Sequence, residues 1–201
     1  MDFITKLPIS VEPTTGHKHD SIFVVVDKLT KYSHFIPYNE TYNTVQLAHV
    51  FFDKIIRLYG IPKTITSDRD KLFTSAFWKT IVARLSTKLK LSTAFHPTTD
   101  GQTERMNQTL EVYLRHYVNY AQDNWVSLLP TAQLAINNGY MDSIGTTPFY
   151  ANFGKDLNLF MNPRDNPESE DAMVTIKSMK DLHKKCQEGI IVAQRKSRDY
   201  L

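Results

Sequence analysis

Four carboxylates stand where a chain of this pattern would gather chemistry. Asp2 opens a short run of strand-forming residues, "DFITKL". Asp27 closes the apolar run of "SIFVVVDKL". Asp68 sits just past "KTITS", in "SDRD", and Glu104 lies in the first turn of a long predicted helix within "HPTTDGQTERMNQTLEVYL". In open α/β sheets, reactive groups collect at strand ends and at adjoining helix starts. Carboxylate oxygens are also the ligands that a hard divalent cation takes. Each acid alone has a plainer reading. A Glu in a first helical turn is favoured by the helix dipole. Asp68 suits a turn or a cap for the helix that follows, and Asp2 suits the surface end of a strand.

The long helix separates its own acids. At roughly 100° per residue, Met106, Leu110, Tyr113, Tyr117 and Ala121 fall near one direction and predict the buried stripe. Glu104, Gln108, Glu111 and Arg115 fall on the opposite side. Glu104 is therefore solvated or faces a site. Asp100 precedes the helix and reads as turn chemistry.

The elements that must position these acids follow from period and punctuation. "DFITKL", "SIFVVVDKL" and "YSHFIPY" predict an antiparallel meander, with "PISVEPTTGHKHD" as a turn region. Ala48, Phe51, Phe52, Ile55, Ile56 and Tyr59 then take up helical spacing behind an Asn43 or Thr44 cap and ahead of Gly60. "KTITS" is a strand. Phe77, Ile81 and Leu85, with Trp78 and Val82, mark a helix capped near Thr74 or Ser75, and "KLKLST" is another strand. After the Pro97–Gly101 turn come helices from Gln102 to Gln122 and from Trp125 to Asn138. "IGTTPFYANFG" reads as a loop with a short helical turn. The order is mixed α/β around one central sheet. Residues 1–160 form the main domain, 161–170 a polar linker and 171–201 a Lys-rich helical extension.

Composition sets bounds on this reading. The chain has 201 residues, is 41% hydrophobic and carries a net charge of +3. That is enough for a real core, and the mild basicity permits a nucleic-acid partner without indicating one. Cys186 is the single cysteine, which excludes an internal disulfide or a cysteine-based zinc site within these residues. No apolar run approaches the roughly 20 residues that span a bilayer. "MDFITKLP" lacks the pattern of a signal peptide, so a reducing interior compartment is expected.

Several long words, in order, carry a resemblance. Asp68 and Glu104 are separated by 35 residues, the second interval of the D,D-35-E signature of retroviral and LTR-retrotransposon integrases. "VVVDKLTKYSHFIP", "LYGIPKTITSDRD", "FTSAFWK", "LSTAFHPTTDGQTERMNQTLE" and "NWVSLLPTAQLAINN" closely resemble integrase cores of gypsy-type LTR retrotransposons, from about Asp2 to Gly154. Pro97, Gly101, Glu104 and Asn107 meet the pattern Pro-x-x-x-Gly-x-x-Glu-x-x-Asn.

The resemblance implies an α/β fold of the ribonuclease-H-like type: a five-stranded mixed sheet, three strands antiparallel and two added in parallel, flanked by helices. It implies catalytic and metal-binding roles for Asp2, Asp68 and Glu104, with two Mg²⁺ ions and Mn²⁺ as a substitute. The implied reactions are trimming of 3′ ends and joining of those ends to target DNA. Asp27, Asp70, Asp100 and Glu111 match no catalytic position, Asp70 being the runner-up to Asp68. Asn107 is expected either to contact DNA or to brace the loop, while Gln102, Arg105, Gln108, Thr98 and Thr99 are further expected DNA contacts. Arg69 and Lys71 suit phosphate or plain solvation, and His96 a loop-bracing hydrogen bond.

Other implied partners are element ends and target DNA, further copies of the chain, and a chromatin tether through flanking domains. No membrane partner is expected, and the implied location is the nucleus, with a cytoplasmic particle stage. The zinc domain that usually precedes the core, and the small domain that usually follows it, are expected to lie outside these residues. Retroviral relatives often carry basic residues one and two turns after the glutamate; here those places are Gln108 and Glu111. Two alternatives stand beside this reading: a domesticated relative that binds without catalysis, and a nuclease of the same fold.

Overall fold

The computed structural model describes residues 1–91 and 101–157. The expected linker, the helical extension, His96, Thr98, Thr99 and Asp100 lie outside the described residues. Among the described residues seven strands appear in chain order: β1 (Asp2–Ile4), β2 (Ser10–Val11), β3 (Lys18–His19), β4 (Ser21–Val26), β5 (Ser33–Tyr38), β6 (Thr64–Ser67) and β7 (Lys88–Leu91). The helices are α1 (Thr44–Phe51), continued by a π-helical segment (Phe52–Ile56) into α2 (Arg57–Tyr59), then α3 (Lys71–Thr74), α4 (Ala76–Arg84), α5 (Gly101–Tyr117), α6 (Trp125–Asn137) and α7 (Pro148–Phe153).

The expected meander forms: β1, β4 and β5 pair antiparallel in that order, with Asp2 opposite Val24 and Val24 opposite Phe35. β6 and β7 pair in parallel, Thr64 opposite Lys88 and Thr66 opposite Lys90. The expected five strands are present, paired as a three-stranded antiparallel sheet and a two-stranded parallel one. The Met1 amino group joins the halves by donating to the Thr66 carbonyl at 2.8 Å, buried.

Alternation along the strands assigns a core to each face. Ile4, Ile22, Val24 and Phe35 pack under α5 and α6, against Met106, Leu110, Trp125, Leu129 and Ile136. Phe23, Ile36, Tyr38 and Ile65 pack on the other face against Leu47, Phe51, Phe73, Trp78 and Val82. Burying one such side chain contributes about 1.5–3 kcal/mol. Trp125 also anchors α6 to the first loop, its Nε1 donating to the Pro8 carbonyl at 2.7 Å.

The free edge of β5 is closed by α6. The Ser33 amide donates to Asn137 Oδ1 and the Ser33 carbonyl accepts from Asn137 Nδ2, both at 2.8 Å. One helical turn earlier, Gln133 Oε1 accepts from the Phe35 amide at 3.0 Å. The next outward position is Pro37, which has no amide to satisfy. An edge sealed in this way cannot recruit another strand.

Four features depart from the sequence reading. The "PISVEPTTGHKHD" region does turn, at Gly16 (φ 72°), but β2 and β3 flank the turn, and Ser10 Oγ accepts from the Val126 amide at 3.2 Å. The helix after Phe51 runs through a π segment, and its buried stripe is narrower than the expected one. Leu47, Phe51 and Ile55 are buried, while Phe52 is 58% exposed. On α4, Trp78 and Val82 face the core and Phe77 faces outward. α5 ends at Tyr117 rather than Gln122. The Asn124 side chain accepts from the Asn119 amide at 3.0 Å, and Asn119 Nδ2 donates to Asp123 Oδ1 at 2.7 Å, so side chains replace the next helical bonds. Tyr117 is only partly buried and Ala121 is exposed.

Two measurements test this frame. Asn137→Ala strands both polar groups of Ser33 in a buried place, so urea unfolding should show a loss of about 2–4 kcal/mol. His34, whose Nε2 lies 3.0 Å from the Tyr59 hydroxyl, is pushed by burial from 6.5 down to about 4. The unfolded chain therefore binds the extra proton first. Stability is full above pH 6.5 and falls between pH 6.5 and 4, by up to about 3 kcal/mol. Burial lowers His19 in the same direction. His34→Gln should flatten most of that decline, and a parallel decline in the variant would contradict the assignment.

Candidate functional site

β1 is short, and its first side chain is held from both sides. Asp2 Oδ1 accepts from the Phe3 amide at 2.8 Å, and Asp2 Oδ2 accepts from Asn107 Nδ2 at 2.7 Å. Asn107 belongs to α5, 105 residues away in sequence, and is 9% exposed. It lies on the inward face with Thr103, Leu110 and Leu114. A helical count at i, i+4, i+7 and i+11 from Thr103 gives that face directly, and the stripe drawn through Met106 and Tyr113 passed beside it. Asn107 Oδ1 is buried without a hydrogen-bond partner.

Asp68 follows the last residue of β6. Its Oδ1 accepts from the Asp70 amide at 3.1 Å, and Ser67 Oγ donates to its main-chain carbonyl at 3.2 Å. Asp70 has different work: it caps α3, with its Oδ1 accepting from the Leu72 amide at 2.8 Å. Burial, and after it the Asp70 charge, push the Tyr38 phenol well above its ordinary range. The cap and the turn explain why two aspartates stand two residues apart.

Strand parity aims Asp2 and Asp68 toward the same side. Asp2 shares the face of Ile4, under α5, whereas Phe3 turns to the other core. On β6, Ile65 turns to that second core, so Thr64 and Thr66 point to the α5 side, and the same alternation continued one residue aims Asp68 there. The bond from Met1 to Thr66 sets the start of β1 beside the end of β6. Asp2 is the next residue after that donor, and Asp68 the second after that acceptor.

Glu104 is in the first turn of α5 and exposed, three residues before Asn107. The helical count for its direction holds. Among the described residues, however, no three His, Cys, Asp or Glu side chains stand close enough to hold one metal ion. The structure therefore brings Asp2 against α5 and onto the face of Asp68, and leaves Glu104 at the rim. Gln102, Arg105 and Gln108 are exposed on the same helix, and Arg69 and Lys71 are exposed beside Asp68. Glu111 pairs with Arg115 at 3.5 Å, one turn along an exposed face, so it reads as a solvated acid. Asp27 accepts from the Leu29 and Thr30 amides at 2.6 and 2.9 Å, which is turn chemistry.

The donor set fits a hard cation. It offers carboxylate oxygens only, and Asn107 leaves one orphaned polar atom beside Asp2 where a bound water would find an acceptor.

The fold is ribonuclease-H-like, as in retroviral integrase cores. Over 82% of this chain and 62% of the other, it superposes on a chain of the simian T-cell lymphotropic virus intasome solved with the PP2A regulatory subunit B56 gamma, with a TM-score of 0.59 at 17% identity. It superposes on the HTLV-2 integrase catalytic core domain solved with magnesium over 74% of this chain and 99% of that one, with a TM-score of 0.53 at 17% identity.

In sequence, the chain is 37% identical over 149 residues, 74% of its length, to the Tf2-3 and Tf2-4 transposon polyproteins of Schizosaccharomyces pombe. It spans 11% of the length of those polyproteins. No family model matches the chain. In sequence the chain is thus similar to one stretch of Tf2 transposon polyproteins, and in fold to retroviral integrase cores, which agrees with its resemblance to integrase cores of gypsy-type LTR retrotransposons. Among the described residues no helix is long and apolar enough to cross a membrane.

The Asn107 contact has its own test. Asn107→Leu keeps the volume and removes the donor to Asp2. Urea unfolding should show a loss of about 1.5–3 kcal/mol, as for one hydrogen bond to a charged group; an unchanged midpoint would mean that the bond does not hold Asp2 in solution.

Proposed function

We propose that this chain is the catalytic core of a retrotransposon integrase that trims the 3′ ends of element DNA and joins them to target DNA. The single observation that supports the reading most is the bond from Asn107 on α5 to Asp2 at 2.7 Å, on the side toward which the alternation of β6 aims Asp68. Asp2, Asp68 and Glu104 would hold two Mg²⁺ ions, or Mn²⁺ in their place. Such ions supply charge stabilisation to the entering and leaving oxygens of an in-line displacement at phosphorus.

The chain's own residues do the positioning. Asn107 fixes the direction of the Asp2 carboxylate, and the Asp70 amide fixes that of Asp68. Glu104, exposed in the first turn of α5, would complete the ligand set. Gln102, Arg105 and Gln108 would meet phosphate or base edges beside it, with Thr98 and Thr99 ahead of them in sequence. Asn107 would reach DNA only through its buried Oδ1. Attack by water or by a 3′-OH needs no protein nucleophile, so Cys186 and the serines have no covalent part.

The natural substrates are element ends and target DNA, the working form is an oligomer, and the reaction belongs in the nucleus after a cytoplasmic stage. A chromatin tether would act through flanking polyprotein segments. The neighbours support DNA and assembly, one being an intasome and another a core solved as a trimer with magnesium. A second reading, binding without catalysis, is favoured by the rim position of Glu104.

Branched DNA that mimics the joined product separates the two readings. The purified chain, alone and extended by flanking sequence, is supplied with Mg²⁺ or Mn²⁺ and assayed for reversal of joining. The extended protein should show metal-dependent reversal, and Glu104→Gln should slow it at least about 100-fold, near 3 kcal/mol. Activity that survives in Glu104→Gln, or none in the extended protein, would sink the catalytic reading. Mg²⁺ or Mn²⁺ should also raise the thermal midpoint, and Asp2→Asn or Asp68→Asn should abolish that rise.

A further inference from the structure

The charge of this molecule is unevenly placed. Residues 63–91 hold Lys63, Arg69, Lys71, Lys79, Arg84, Lys88 and Lys90 against Asp68 and Asp70, a net of +5. The whole chain carries +3, so the remaining residues sum to −2. All seven of those cations are exposed. The fold folds this segment into one edge of the molecule: β6, α3, α4 and β7.

Register decides which cations matter. Thr64 pairs with Lys88 and Thr66 with Lys90, while Leu89 and Leu91 turn inward with Ile65. Lys88 and Lys90 therefore stand on the sheet face that carries Asp2 and Asp68. α5 and α6 cover that face over β1, β4 and β5, but farther out Thr64, Lys88 and Lys90 remain exposed. Two strand residues place the lysine Cα atoms about 6.6 Å apart along one line. Neither lysine makes an ion pair among the described residues. The exposed side of α5 is poor in cations near its start, with Glu104, Gln108 and Glu111 beside Arg105. A polyanion that reaches Asp68 has its charge partner on β7, not on α5.

We propose that the exposed face of the β6–β7 edge, centred on Lys88 and Lys90, is a track for the phosphate backbone of duplex DNA leading to Asp68. This rests on the reading of the chain as a DNA-joining core, and adds the surface on which the duplex lies. The lysines act as point charges along the backbone and read no sequence. Each phosphate they neutralise steepens the fall of log K with log salt by about 0.9 for B-form DNA.

Binding of a labelled duplex to the full 201-residue chain, followed by anisotropy across a salt series, tests this. In Lys88→Gln with Lys90→Gln the slope should be shallower by about 1.8, with an unchanged thermal midpoint. A control pair away from this edge, Lys18→Gln with Lys155→Gln, should leave the slope as in the wild type. An unchanged slope in the first pair, or an equal loss in the control, overturns the track. So does binding that depends on Lys88 and Lys90 for an acidic peptide or duplex RNA but not for DNA. Glu104→Gln keeps the two readings apart. If it abolishes joining while the Lys88/Lys90 pair leaves the slope intact, the track fails and the catalytic reading stands. If it retains joining while the pair loses slope, the reverse holds.

Discussion

The bond from Asn107 Nδ2 to Asp2 Oδ2 joins two ends of the fold that share little else in sequence. Its donor is almost wholly buried on α5, and its acceptor opens the first strand. α5 is held there by the apolar stripe of Met106, Leu110, Tyr113 and Leu114 against Ile4, Ile22 and Val24. Several buried side chains at about 1.5–3 kcal/mol each outweigh one hydrogen bond, so packing sets the helix and the bond sets the carboxylate. Rim residues such as Glu104 take their position from that frame.

Alternation in the strands does the rest of the sorting. One face of β1 and β6 carries Asp2, Thr64, Thr66 and, one residue on, Asp68; the other carries Phe3 and Ile65 into the aromatic core with Phe23, Phe73 and Tyr38. A one-residue slip would exchange the two sets and bury the acids in a hydrophobic cluster. The two sheet edges are treated differently. On β5 the amides of Gln133 and Asn137 take the outward backbone groups, while β7 carries lysines. A sealed edge and a charged one both discourage strand addition, and the charged one keeps its cations beside Asp68.

Much of this was legible in the sequence because its signals are local. Capping at Asn43 and Ser75, the stop at Gly60, and the apolar runs of β4 and β5 each declare themselves within a few residues. The Glu104 direction followed from helical period alone. What stayed hidden depends on pairing across distance or on small shifts of phase. The π segment after Phe51 has no local signature. Asn137 reaching Ser33, and Asn107 reaching Asp2, join residues 104 and 105 apart. Asn107 was read as a DNA contact or a brace; its burial and its hydrogen bond were not visible until α5 had a neighbour. The β2–β3 ribbon was missed because two-residue strands carry too little pattern to register.

The proposed function turns on Asp2 and Asp68 sharing one cation site with Glu104 at its rim. A crystal of the chain grown with Mn²⁺ tests it most directly, through anomalous difference density measured at the manganese edge. A peak is expected between the Asp2 and Asp68 carboxylates, under the Asn107 side chain, with Glu104 turned toward it. Manganese bound elsewhere on the molecule, with Asp2 and Asp68 making no contact to it, would contradict the account.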